Sequence, residues 1–581
     1  VGRFVLVYGK NASVEHPFLR KKTAVANPWQ FKTLSPQCYL FYQHGDILSN
    51  EKDVFLLGQL FQKNGCRVQE ILETLGQDII LSAGKIMVEE YWGSYIAILY
   101  NKIEDCITIL RDPAGGMPCF YMHFREKVII FSYLEDLYLF FDIHLSLESH
   151  FLKSALRYHR LYTEATGIQN TKQLLSGQAL VLKRGELKTT LYWEPTQFAS
   201  KKFKDSHPEE TLRKTLFSTL SAQARAYSKI MLYLSGGFDS TLIASVLKHT
   251  APQTQIIGFH YAIKGSRASE EEKFAKEAAE FLNIPIHCVI LDPLEDDVLQ
   301  ENDYTLLPCP SPQYIGHILW RKAQQTAQAY NCDVIWDGDG GDQLFYAFQT
   351  SRIVNDSLFF GFRNFFQRMK EASLLCQNAY LPLLRDVWKN FRACGVQHIY
   401  QEILESPKPF LRPFDGDIDS LIPAVLKNRK FPQGKVKQIA GLLNLQLNRV
   451  PLKDASIPSL HPLQNQPLME LCLSMPSFLL AKNGISRGLV RSAMKEIMPE
   501  SIRTRQTKGG TLQFVNLWFQ KQSFQNYLLN GELVQHNLVN KDVLKNCFSS
   551  SKCIYMKAGI LDLLPLEIWM RQIKSLKGIT Q

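Results

Sequence analysis

The sequence has no apolar run approaching about 18 residues, so no segment of it reads as a membrane-spanning helix. Its opening, VGRFVLVYGKNASVEHP, has neither the basic region and apolar stretch nor the small-residue cleavage site of a secretory signal, and the cytoplasm is the expected location. Val1 stands where Met is usual, which reads as an alternative start codon translated literally. The 12 cysteines form no CxxC pair and no Cys/His cluster at zinc spacing, so reduced thiols in cores are expected. The net charge of +11 is not gathered into a basic stripe, and neither nucleic acid nor a membrane is expected as a partner. Two common phosphate-loop patterns, GxxxxGKS/T and GxGxxG, are also missing.

What is present is an ordinary globular composition, 45% hydrophobic and 21% charged, on 581 residues. That length exceeds one core, and two domains are expected, 1–200 and 205–581. Up to about residue 195, short alternating runs such as RFVLVYG, YIAILYN, CITILRD and KVIIFS predict antiparallel strands, with helices near 66–75 and 147–158. The polar segment QFASKKFKDSHPEE, 197–210, is the candidate linker. Beyond it, KIMLYL, TQIIGFHYAI, IHCVILD and CDVIWDG alternate with helical stretches, the pattern of a parallel sheet covered on both faces. From about 355 the chain reads as largely helical, with loops at HPLQNQP and RTRQTKGG. The expected class is α/β: an α+β sandwich, then a doubly wound parallel-sheet domain with a helical C-terminal part.

In LYLSGGFDSTLIASVL, 232–247, an apolar strand breaks on Ser235, Gly236 and Gly237, and a helix resumes with Asp239 and Ser240 in its first turn. Glycines let the backbone approach a cluster of oxygens, and the N–H groups of a helix start favour an anion. Asp239 would repel a bare phosphate, so a divalent cation is expected to bridge the two. A second glycine-rich turn, WDGDGGDQLF, 336–345, follows the CDVIW strand. It does not suit calcium, because Gly341 occupies a ligand position and no Glu closes the loop.

LSGGFDS resembles the pyrophosphate loop of ATP pyrophosphatases, and with the second turn it resembles the asparagine synthetase branch most closely. The resemblance implies ATP and Mg²⁺, with Leu234, Ser235, Gly236, Gly237, Asp239, Ser240, Gly338 and Glu271 around the nucleotide and its pyrophosphate, and Asp239 and Asp342 on the metal. MPESIRTRQTKGG, 498–510, resembles a family segment ending in an essential lysine, which puts Lys508 over the phosphates to offset charge as pyrophosphate leaves. LRDPAGGMPCFY, 110–121, and LLSGQALVLKRGELKTTLYWEP resemble a hairpin and the closing strands of the family's N-terminal, Ntn-type amidotransferase domain. That domain needs Cys as its first residue. This chain opens Val1-Gly2-Arg3 and its first Cys is Cys38, so the domain is read as degenerate and no glutamine hydrolysis is expected.

A ligase that makes no ammonia takes its amine from the substrate, as in the β-lactam synthetases and lasso peptide cyclases of this family. Gly341 and Gln343, where asparagine synthetases usually carry Ala and Glu, resemble the second. So does PLQNQPLMELCLSMPSFLLAKNGISRGLVRSAM, with Arg487 and Arg491. The resemblance implies ATP-dependent macrolactam formation on a precursor (core) peptide. The side-chain carboxylate of a peptide Asp or Glu is adenylated, and the N-terminal amine closes the ring. A leader peptidase and a leader-binding protein are the implied partners. Asp339 is the candidate base for the amine, because the β-lactam branch places a catalytic group at this loop position. The alternative is a β-lactam synthetase-like or other small-molecule amide-forming ligase. A peptide folded before closure demands a wide cavity, since ordering each residue costs about 1–2 kcal/mol.

Overall fold

Two antiparallel sheets and one parallel sheet organise the chain. A computed structural model describes residues 2–9, 29–43, 45, 47–50, 52–158, 162–264, 268–292, 304–312, 317–361, 364–392, 408–413, 432–448, 450–453, 455–507, 519, 521–550 and 554–576. The first sheet has the spatial order Thr171–Gln173, Phe120–Phe124, Lys127–Phe131, Phe4–Gly9, Cys38–Tyr42, Gln30–Ser35. The second runs Glu186–Leu191, Gln178–Lys183, Cys106–Arg111, Tyr91–Asn101, Val54–Gln62, Ile47–Ser49. Every neighbouring pair in both is antiparallel.

Alternate residues of Phe4–Gly9 serve two different cores. Phe4, Leu6 and Tyr8 pack with Phe55, Ile96 and Ile109 of the second sheet. Val5 and Val7 turn the other way and join a cluster that includes Phe151, Leu564 and Trp569 from helices, two of them near the C-terminus. An antiparallel sheet with one wet face alternates apolar and polar residues, whereas here the whole strand is buried.

The parallel sheet has the spatial order Ile286–Leu291, Gln255–Ile263, Lys229–Tyr233, Val334–Trp336, Ser459–Leu460, which is three-two-one-four-five in chain order. The order reverses between the third and fourth of these, where Leu232 lies opposite Trp336. Both strands end at this reversal, so both glycine-rich turns leave the sheet side by side, where open α/β sheets bind ligands. The helix Phe238–Thr250 begins there, with Asp239 in its first turn and Lys248 and His249 in its last, charges that complement its dipole.

Three local expectations are corrected. The helix expected near 66–75 is Glu73–Leu81. Residues 66–68 instead return along the second sheet: Gln62 N–H donates to Cys66 O and Val68 N–H to Leu60 O, each at 2.8 Å. The turn in LRDPAGGMPCFY is a crossover between the two antiparallel sheets, not a hairpin, because Cys106–Arg111 lies in one sheet and Phe120–Phe124 in the other. Buried Arg111 fixes it by donating to Leu174 O and Gly115 O, and Asp112 accepts from Tyr95 N–H and Gly116 N–H. The candidate linker is partly helical: Thr196–Ala199 forms one turn, and the helix Pro208–Ala224 opens with proline and two glutamates. The helix expected near 147–158 is Ser149–Tyr158. Among the described residues no helix is long and apolar enough to cross a membrane.

Candidate functional site

A cavity of about 810 Å³ lies over the ends of Lys229–Tyr233 and Val334–Trp336. From the first turn it takes Ser235, Gly237, Asp239 and Ser240, and from the second Gly338, Asp339 and Asp342. Glu271 reaches it from the helix Ala268–Phe281. Leu234 stands behind the wall: its side chain is fully buried, its N–H donates to Phe259 O at 2.8 Å, and its carbonyl meets His260 Nδ1 at 3.0 Å. Gly236 is held by close approach. It adopts φ +75°, and a Cβ there would sit 2.6 Å from Glu271 O. Lys508 lies outside the described residues.

The turn itself is braced by hydroxyls. Ser235 N–H donates to Ser240 Oγ at 3.2 Å, the two Oγ atoms are 3.1 Å apart, and Gly237 N–H donates to Ser235 Oγ at 3.2 Å. The second turn presses against the first so closely that a Cβ on Gly341 would lie 2.3 Å from Asp239 Oδ1. Gly341 therefore leaves room for the Asp239 carboxylate in this orientation.

Arginines from distant segments complete this end. Arg487, buried and in a left-handed backbone conformation at φ +60°, contacts Asp342 through its guanidinium and lies 3.5 Å from Asp239. Arg491 stacks on Phe238, its centre 4.6 Å from the ring, and burial followed by the neighbouring Arg487 charge pulls its pKa down to about 10. Arg505 pairs with Glu271, stacks on Phe274 at 4.0 Å and reaches Gly236 O at 3.5 Å. Three guanidiniums beside a helix start suit a polyphosphate.

A different group also lines the cavity. Asp337 Oδ1 meets His461 Nδ1 at 2.9 Å and accepts the Asp339 N–H at 3.0 Å. Asp339 Oδ2 accepts from Gln464 at 3.4 Å. An imidazole oriented by a carboxylate on one nitrogen exchanges protons through the other. Sequence reasoning passed over Asp337, His461 and Arg505. Asp337 was visible as the first acid of WDGDGGD, but His461 and Arg505 sat in stretches that read as loops.

Residues 211–571, more than half of the chain, match the family model described as asparagine synthase. This chain belongs to the asparagine synthase family. Residues 72–193 match a glutamine amidotransferase domain. The chain is 24% identical over 285 residues to the glutamine-hydrolyzing asparagine synthetase 2 of Bacillus subtilis, covering 45% of this chain and 37% of that protein. It is 22% identical over 306 residues to a putative glutamine-hydrolyzing asparagine synthetase of Methanocaldococcus jannaschii, covering 52% and 57%. Amidase chry2 of Gibberella zeae is 22% identical over 291 residues, covering 46% and 42%. The matches therefore span between 37% and 57% of these curated relatives.

The asparagine synthase family generally uses ATP and Mg²⁺, and the donors present fit the metal. Asp239 Oδ1 is buried and meets no hydrogen-bond donor among the described residues. Asp239 and Asp342 share a cation, the Arg487 guanidinium, as a divalent ion would be shared. No cluster of three or more His, Cys, Asp or Glu set to hold a metal occurs among the described residues. Two carboxylates with the remaining positions left to phosphate oxygens and water is the usual arrangement for Mg²⁺.

Proposed function

We propose that this protein is an ATP-dependent, AMP-forming amide ligase that closes a macrolactam ring in a peptide, a lasso peptide cyclase working in the cytoplasm beside a leader peptidase and a leader-binding protein. One observation carries the reading. A single cavity of about 810 Å³ joins an arginine-rich phosphate end to the Asp337–His461 pair, and it stands in the upper part of the range for ligand sites, about 300–1,000 Å³.

A carboxylate oxygen of the peptide attacks the α-phosphorus of ATP, the bond to the β-phosphate oxygen breaks, and pyrophosphate leaves. The N-terminal amine then attacks the activated carbonyl carbon, and AMP departs with the electron pair of the broken bond. Asp239 and Asp342 would hold Mg²⁺, which would supply charge neutralisation at the phosphates. Arg487, Arg491 and Arg505 orient the polyphosphate, with Lys508 assigned by the family resemblance to the leaving group.

The amine must lose a proton. His461, whose Nδ1 is held by Asp337, is the acceptor in this reading, and Asp339, bonded to Gln464, orients the substrate.

The test combines the protein with ATP, Mg²⁺, the precursor peptide encoded nearest its gene and the leader peptidase. Loss of one water from the core peptide with AMP in step is expected by mass spectrometry. AMP release with a small amino acid alone would point to the small-molecule ligase instead. In His461→Gln, pyrophosphate release should persist while ring closure falls about 10²–10⁴-fold. If Asp339→Asn shows that split and His461→Gln does not, the base is Asp339.

A further inference from the structure

A second cavity of about 450 Å³ lies between the two halves of the chain. It takes Phe61, Trp92 and Tyr133 from the N-terminal half and Tyr227 and Trp320 from the other. Trp320 and His461 line both cavities, so the two are neighbours across one layer of side chains.

Their chemistry is opposite. The first is bordered by five carboxylates and three arginines. Among the described residues lining the second there is no Asp, Glu, Lys or Arg. The charges behind its wall are already engaged. Arg3, over the Tyr133 ring, bonds Glu135 at 2.5 Å and Asp136 at 3.1 Å. Asp112 accepts from Gly116 N–H at 2.9 Å. Phe61 and Trp92 stack at 4.5 Å to form a flat apolar face. Its polar lining includes the hydroxyl of Ser94 and the amides of Gln59 and Gln223, beside the imidazole of His461.

A free amino acid such as glutamine brings an α-ammonium and an α-carboxylate together. Burying either without a partner is costly, and the described lining residues include no carboxylate, lysine or arginine to pair with them. A peptide segment with apolar side chains and amide bonds asks only for hydrogen bonds and contact area. We propose that the second cavity is a subsite for a neutral, apolar segment of the substrate peptide, continuous past Trp320 and His461 with the part whose carboxylate is activated next door. This rests on the peptide reading above. It makes the amidotransferase-like half a binding wall for substrate, and it predicts that zwitterionic glutamine is not a ligand there.

The test uses the full chain without ATP or precursor. N-acetyl-photoleucine amide, a neutral capped residue carrying a diazirine, is irradiated with the protein, and labelled positions are mapped by mass spectrometry. Label is expected on segments that include Trp92, Tyr227 or Leu452, with loss of that label when N-acetyl-leucinamide competes and no loss with glutamine. Displacement by glutamine as readily as by the capped amide overturns the proposal, as does label confined to the first cavity or to the outer surface. Absent labelling while the precursor still loses water overturns the subsite and spares the ligase reading. Labelling without water loss supports the subsite and counts against that reading.

Discussion

Asp342→Asn is expected to reduce AMP formation by at least about a hundredfold while the protein melts no lower than the wild type. The two halves of that result have one cause. Asp239 and Asp342 face the same guanidinium, so two carboxylates lie close together around one arginine, with the Arg491 charge beside Asp239. Neutralising one of them relieves repulsion between like charges at close range, so stability holds or rises. The same change removes one of the two oxygens available to a divalent ion, and the ion's affinity falls with it. Arg487→Ala should behave in the opposite sense. It leaves the carboxylates facing one another, lowers the melting temperature in metal-free buffer, and is rescued by added Mg²⁺ more than the wild type is. Thermal melts with and without Mg²⁺ read both variants without any need for substrate. A drop in stability for Asp342→Asn, or no added Mg²⁺ response in Arg487→Ala, would mean the pair is a structural ion bridge alone.

Lys435→Met is expected to cost about 3 kcal/mol of stability, because two buried oxygen acceptors lose their donor and buried Asp356 loses a nearby positive charge. Lys435 and Asp356 are both fully buried, and burial pushes the lysine down and the aspartate up from their ordinary values. Lys435 donates to Gln438 Oε1 at 2.7 Å and to Cys472 O at 2.9 Å. Asp356 accepts from Gly434 N–H at 2.7 Å and from the Ser477 hydroxyl. Gln438 in turn donates to Leu344 O at 2.8 Å, at the end of the short helix that carries Asp342. The network therefore braces the second turn from behind. Asp356→Leu alone should cost a similar amount, and the double variant Asp356→Leu/Lys435→Met less than the sum, because neither charge is left stranded. Urea unfolding of the four proteins measures the cycle; full additivity would show that the two residues do not act as a pair.

The parallel sheet and its two turns were legible because local chemistry dictates them. A buried strand that ends in glycines and resumes as a helix has few alternatives, and Ser235, Asp239 and Asp342 all came out where the turns put them. The arginines were harder. Arg487 and Arg491 sit on a short helix whose burial exists only after it packs near Phe238, some 250 positions earlier, and a charged residue on a helix otherwise reads as a wet face. His461 gave no signal of its own, since its meaning comes from Asp337 at the end of the neighbouring strand. Period-two patterning found the N-terminal strands but not their partners. An Asp-Pro-Ala-Gly-Gly turn looks the same whether the chain folds back on its own sheet or crosses to the next, and only the bonds of buried Arg111 and Asp112 distinguish the two.

The strand Phe4–Gly9, wedged between Phe55 and Ile96 on one side and the surroundings of Trp569 on the other, means that the first and last segments of the chain cannot be ordered independently. Until the helix Leu564–Ser575 docks, this strand has only one side of its surroundings, so the amidotransferase-like half completes its packing after a helix more than 500 positions further along has arrived. A variant lacking that helix should be left with an adhesive apolar sheet face and aggregate.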